Sequence, residues 1–70
     1  MRTLTAVLYK EEDTYVAECP EVGTVSQGRT IEEAVSNLKE ATELYLEEFP
    51  LERGKRSIIT TFEVSEGARA

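Results

Sequence analysis

Histidine and tryptophan are absent from this 70-residue chain, and cysteine and aspartate each occur once, at Cys19 and Asp13. Without histidine the chain lacks the usual general base near neutral pH and the commonest metal ligand. A single cysteine excludes an intrachain disulfide. Cys19 precedes a proline at a predicted strand end, with no histidine to activate it and no predicted helix N-terminus beside it, so it reads as a structural thiol. No apolar stretch approaches the ~20 residues that span a bilayer. The N-terminal MRTLTAVLYKEED has too brief an apolar run for a signal peptide. The expected compartment is the cytoplasm. Basic residues are few: eight against fourteen acidic ones, for a net charge of −6. Such a balance argues against direct DNA binding, which depends on lysine and arginine neutralising phosphates. It suits attraction to a basic protein.

The chain does carry the composition of a folded domain, 40% apolar and 31% charged. Its length allows one domain. A chain this small buries only about 60% of its unfolded surface, and association with itself or with a partner is a natural remedy. Homodimerisation, or a higher homo-oligomer, is therefore expected.

Thr3 to Tyr9 alternates Leu4, Ala6 and Leu8 against Thr5, Val7 and Tyr9, the period-two pattern of a strand with apolar character on both faces. KEED at 10–13 reads as a polar hairpin connection without the Asn-Gly or Asp-Gly of the tightest turns. Tyr15 to Cys19 returns as a second strand, stopped by Pro20. Gly23 to Gln27 supports a short third strand. Thr30 and Glu33 have capping-box spacing: the threonine accepts from the N–H of Glu33, and the glutamate reaches back to the N–H of Thr30. Gly28, two residues before the cap, marks a backbone conformation closed to residues with a Cβ. A helix then runs from Ile31 to about Glu48, with Ile31, Ala34, Val35, Leu38, Ala41, Thr42, Tyr45 and Phe49 on one stripe. Pro50 ends it. LERGKR at 51–56 is a loop, Ser57 to Val64 a fourth strand and SEGARA at 65–70 a frayed tail.

The predicted fold is α+β with element order βββαβ. Two hairpin connections make the first three strands an antiparallel meander, and a helix of about 27 Å returns the chain along the sheet. A right-handed crossover setting the fourth strand beside the first gives a four-stranded mixed sheet of order 3-2-1-4. One helix covers one sheet face, so either Thr5, Val7 and Tyr9 or Leu4, Ala6 and Leu8 must meet solvent or another subunit.

The segments YVAECPEVG (15–23), SQGRT (26–30) and IEEAVSNLKEATELYLEE (31–48) resemble the HicB-like antitoxin family of bacterial and archaeal toxin–antitoxin systems. The resembling positions are Tyr15, Val16, Ala17, Pro20, Glu21, Val22, Gly28, Thr30, Glu33 and Ala34, and the match spans roughly residues 4 to 64. The Pro20–Gly23 turn is shorter than the family's usual proline-glycine loop. The resemblance implies a partial RNase H-like fold and one HicB-like domain over residues 1–70, with an ordered core of about 3–64. It further implies a partner, a small basic HicA-like RNA-cleaving toxin with a catalytic histidine. Many relatives carry a DNA-binding module after this domain. No C-terminal DNA-binding domain is expected here, and with it transcriptional autoregulation comes into question.

The helix holds most of the net charge: Glu32, Glu33, Glu40, Glu43, Glu47 and Glu48 against Lys39. Glu33, Glu40, Glu43 and Glu47 lie opposite the apolar stripe with Leu44 among them, and these five are the candidate partner-binding residues. Glu43 and Glu47 form a like-charged i,i+4 pair costing roughly 0.2–0.5 kcal/mol. Glu47 and Glu48 stand at the helix C-terminus, where the dipole disfavours anions. A ridge that opposes its own helix favours a basic partner, although a solvated face that aids solubility accounts for the same pattern. An RNase H-like topology raises the question of a nuclease, which needs carboxylates converging on two metals. Strand one has no acid, strand two only Glu18, and Glu11, Glu12 and Asp13 sit in a hairpin connection. Gly23 and Gly28 do not make a P-loop, since the lysine is missing. Arg53, Lys55 and Arg56 form a small basic loop that reads as solvated, with weak contact to phosphate as the alternative, and Tyr9, Tyr15 and Tyr45 suit core or sheet-face positions better than base stacking. No catalytic residue, cofactor or metal is expected. The first reading is a noncatalytic antitoxin-type binding module; the alternative is an orphan homo-oligomeric scaffold with a different partner.

Overall fold

A computed structural model describes residues 2–51 and 57–67. Its elements are β1 (Val7–Glu11), β2 (Thr14–Cys19), β3 (Thr24–Gly28) and α1 (Ile31–Glu48). The strands form an antiparallel sheet of order β1-β2-β3, and α1 lies over β3 and β2 on one face.

The first hairpin is tighter than KEED suggested. Lys10 and Glu11 belong to β1, opposite Tyr15 and Thr14, leaving Glu12 and Asp13 as the connection. Glu12 takes φ 53 to close it, a left-handed conformation uncommon for a glutamate. At its other end β1 begins at Val7, four residues later than Thr3. The cause lies at Pro20, which stops β2. In place of a strand partner, the Glu21 carboxylate accepts from Thr5 N–H at 3.0 Å and from Thr5 Oγ1 at 2.6 Å. The Cys19 carbonyl closes the turn by accepting from Val22 and Gly23 N–H, and Gly23 supplies the φ of 96 the turn requires.

Thr30 caps α1 as expected, its Oγ1 accepting from Glu33 N–H at 3.0 Å. The return bond from Glu33 goes to Arg29 N–H, one residue earlier than the capping box predicts. Gly28 also serves a different purpose. Its φ is ordinary, but an added Cβ would lie 2.6 Å from the Ala34 nitrogen and 2.9 Å from the Glu33 carbonyl carbon. Close approach of β3 to the first turn of α1 is therefore what excludes a side chain. Phe49 ends the helix, its N–H donating to Tyr45 O, with Pro50 next.

The core is small: Ala17 and Cys19 from β2 against Ala34 and Leu38 from α1, with Leu4, Ala6, Leu8, Tyr15 and Val22 packed partly buried around them. Thr42 is buried too, its hydroxyl satisfied by Thr24 Oγ1 at 2.6 Å. The predicted stripe thus divides. Ala34, Leu38 and Thr42 face the sheet, while Ile31, Val35, Tyr45 and Phe49 remain exposed. Leu4, Ala6 and Leu8 take the covered side of the sheet; Val7 and Tyr9 take the open one, with Val25 beside them.

The four-stranded mixed sheet is corrected to three strands among the described residues. Ser57–Val64 forms no strand and its side chains are exposed. Its β-branched, alternating sequence favours an extended chain, but a strand also needs an edge to pair with, and this segment pairs with none of β1 to β3. Arg53, Lys55 and Arg56 lie outside the described residues, as do the last three residues of the predicted tail.

Candidate functional site

All five ridge residues are on α1 and exposed. At 3.6 residues per turn, Glu33, Glu40, Glu43, Leu44 and Glu47 occupy a roughly 100° arc centred opposite Leu38. Leu38 is buried against the sheet, so the ridge points directly away from it. The helix keeps this orientation because Ala34, Leu38 and Thr42, at i, i+4 and i+8, are the positions small or apolar enough to meet β2 and β3.

The glutamates are not equivalent. Glu33 is engaged by Arg29 N–H at the helix start. Glu43 accepts from Lys39 Nζ at 3.0 Å, an exposed i,i+4 pair. Glu40 and Glu47 make no ion pair or hydrogen bond among the described residues, and Leu44 between them is 60% exposed. The arrangement offers two carboxylates, free of partners among the described residues, flanking an apolar side chain, which suits contact with a cationic surface having a shallow apolar recess.

Two further surfaces stand out, the sheet face expected to stay open and a groove that the sequence did not indicate. On the open sheet face Tyr9 OH donates to Glu18 Oε2, and that hydrogen bond raises the phenol pKa. Val7 and Val25 flank Glu18 in the register Val7–Glu18–Val25. The alternation of Val7 and Tyr9 was a usable signal for this patch; the placement of Val25 beside them needed the register of β3. At the far end of α1 a shallow groove of about 190 Å³ runs between the Glu21–Val22 turn and Tyr45, Leu46 and Phe49. Tyr45 and Phe49 pack with ring centroids 5.0 Å apart. They fall on the predicted stripe, so periodicity assigned them to the core; the sheet is too short to reach them.

Cys19 is buried, with Sγ 3.5 Å from Glu21 Oε1, and burial pushes its thiol pKa up. Thiolate chemistry is disfavoured there. Glu21 moves the other way: hydrogen bonding from Thr5 lowers its carboxyl from 4.5 to about 2. No group of three or more potential ligands that could hold a metal occurs among the described residues. No helix among them is long and apolar enough to cross a membrane.

No family model matches the chain, and no solved structure matches it. Two curated proteins are similar to it. A UPF0150 protein of Helicobacter pylori (strain J99) is 41% identical over 68 residues, which cover 89% of this chain and 94% of that protein. A UPF0150 protein of Synechocystis sp. is 53% identical over 45 residues, 61% of this chain and 57% of that protein.

Proposed function

The chain belongs to the UPF0150 family of small proteins, which includes HicB-like antitoxin-type members, and we propose that it is itself a noncatalytic antitoxin-type inhibitor. Its partner is a small basic HicA-like protein that cleaves mRNA, and the two meet in the cytoplasm. The observation that carries this reading is the α1 ridge, where Glu40 and Glu47, without an ion pair among the described residues, flank an exposed Leu44. Glutamates there compete with RNA for the partner's cationic surface, while Leu44 fills an apolar recess in it. In this reading the assembled domain completes the RNase H-like order 3-2-1-4.

A pull-down from native-host lysate at low and high salt tests the proposal. A small basic protein recovered in stoichiometric amount at low salt, and lost when salt screens exposed charges beyond a Debye length of ~3–8 Å, supports it. Recovery of the bait alone overturns it. A second reading, an orphan homo-oligomeric scaffold, is favoured by Val7, Tyr9 and Val25 on the open sheet face. It predicts that outcome.

A further inference from the structure

The groove at the C-terminal end of α1 lies between the Glu21–Val22 turn and Tyr45, Leu46 and Phe49, with a volume of about 190 Å³. Pockets for small-molecule ligands run to about 300–1,000 Å³, so this groove is sized for a single side chain. Its aromatic wall faces solvent. The Tyr45 and Phe49 rings lie 5.0 Å apart, tilted by 35°, and the two residues are 43% and 58% exposed.

The polar features around that wall are all negative. Hydrogen bonding from Thr5 lowers the Glu21 carboxyl to about 2, so it is ionised at neutral pH. Its hydrogen-bond donors, Thr5 and Cys19, are neutral, and its charge has no counterion among the described residues. The Leu46 carbonyl would accept from the N–H of residue 50 in a continuing helix, but residue 50 is a proline and has none. The last turn of α1 carries no basic residue to offset the negative end of the helix dipole. Exposed Glu48 stands about 60° around the helix from Tyr45.

We propose that this groove receives an arginine side chain of a basic partner protein, its guanidinium stacked on Tyr45 and Phe49 and donating toward Glu21 and the Leu46 carbonyl. The inference rests on the basic partner proposed above and gives it a second contact beside the ridge. Glu47 of the ridge and Glu48 at the groove are successive residues, so one partner reaches both around the end of α1. An apolar side chain would match the rings but leave the Glu21 charge and the Leu46 carbonyl against hydrocarbon, which costs free energy. Lysine would answer the charge alone. A guanidinium is planar, stacks on aromatic faces and presents its donors as a fork. With all its own cations counted the chain stays at −6, so a cation from outside is drawn to it.

The probe is N-acetyl-arginine amide, with the uncharged N-acetyl-citrulline amide as control. Titrated into the isotope-labelled full chain, the arginine probe should give saturating NMR shifts at Tyr45, Leu46 and Phe49, and none of that size at Val7 or Val25. The citrulline probe should not saturate. Tyr45→Ser/Phe49→Ser should weaken binding at least about 10-fold, with the circular dichroism signal of α1 retained. Glu48→Gln, an exposed change that alters no packing, is the second variant and should weaken it about 2- to 5-fold. Equal shifts from both probes, a response spread evenly over the acidic surface, or binding unchanged in both variants would each overturn the inference. So would binding that develops only in Arg53→Ala/Lys55→Ala/Arg56→Ala, which would give the groove to this chain's own cations. The pull-down separates this inference from the toxin reading. A small basic protein held equally by the natural chain and by Tyr45→Ser/Phe49→Ser would overturn the groove contact and leave that reading standing. Bait alone, with the arginine probe still saturating, would overturn that reading and still support the guanidinium site.

Discussion

Gly28 and Glu21 each decide how two neighbouring pieces of chain meet. At Gly28 a methyl group would press into the backbone of α1 at Glu33 and Ala34, where neither strand nor helix can yield easily. Gly28→Ala is therefore expected to destabilise the fold by about 1–3 kcal/mol, the range for overpacking, measured by urea unfolding. Glu21 clamps the segment before β1 through two bonds from Thr5. Its folded pKa of about 2 lies below the 4.5 of an unperturbed carboxyl. The unfolded chain therefore takes up the proton first on acidification. The stabilisation is fully present above about pH 4.5 and is lost as pH falls through about 2. Urea midpoints measured across that window should fall more steeply for the natural chain than for Glu21→Gln. Parallel curves would mean that the clamp is not formed in solution. The acidic residue after Pro20 was visible in the sequence as part of a motif, but its partner sixteen residues upstream was not.

At the scale of the elements, α1 was the most legible. Thr30, the 3.6-residue spacing and Pro50 each act through local backbone chemistry, and the observed bounds Ile31–Glu48 follow them. Thr30→Ala should cost about 1 kcal/mol, as N-cap losses do, seen as a lower urea midpoint with an unchanged slope. The strands were legible in type and less so in extent. β1 gains Lys10 and Glu11 because Glu12 accepts a positive φ, which the polar run KEED does not reveal. It loses Thr3–Ala6 because Pro20 stops β2 at Cys19. Burial along α1 was over-read: Tyr45 and Phe49 have core spacing but extend past the sheet, so spacing alone could not separate them from Ala34 and Leu38. The ridge, fixed by the same spacing, was readable as a face, while the engagement of Glu33 and Glu43 by Arg29 and Lys39 required the side-chain geometry. The fourth strand failed for a different reason. Ser57–Val64 has the sequence of a strand, but pairing is decided by a second edge that no local pattern specifies.

On the whole molecule, the charged ridge of α1 points away from the sheet, while the sheet face with Val7, Tyr9 and Val25 is open on the side that α1 does not cover. A small core explains why either is useful: a domain with five buried apolar residues among those described gains proportionally from any surface it covers. Electrostatics should set the rate and salt sensitivity of partner binding, and Leu44 its persistence. The most direct measurement is inhibition of RNA cleavage by the small basic partner, titrated with the natural chain and with Glu40→Lys/Leu44→Asp/Glu47→Lys. The account predicts stoichiometric inhibition by the natural chain, weakened at least about 100-fold in the variant, with its helical signal intact. Cleavage unaffected by the natural chain, or inhibited equally by both proteins, would contradict it.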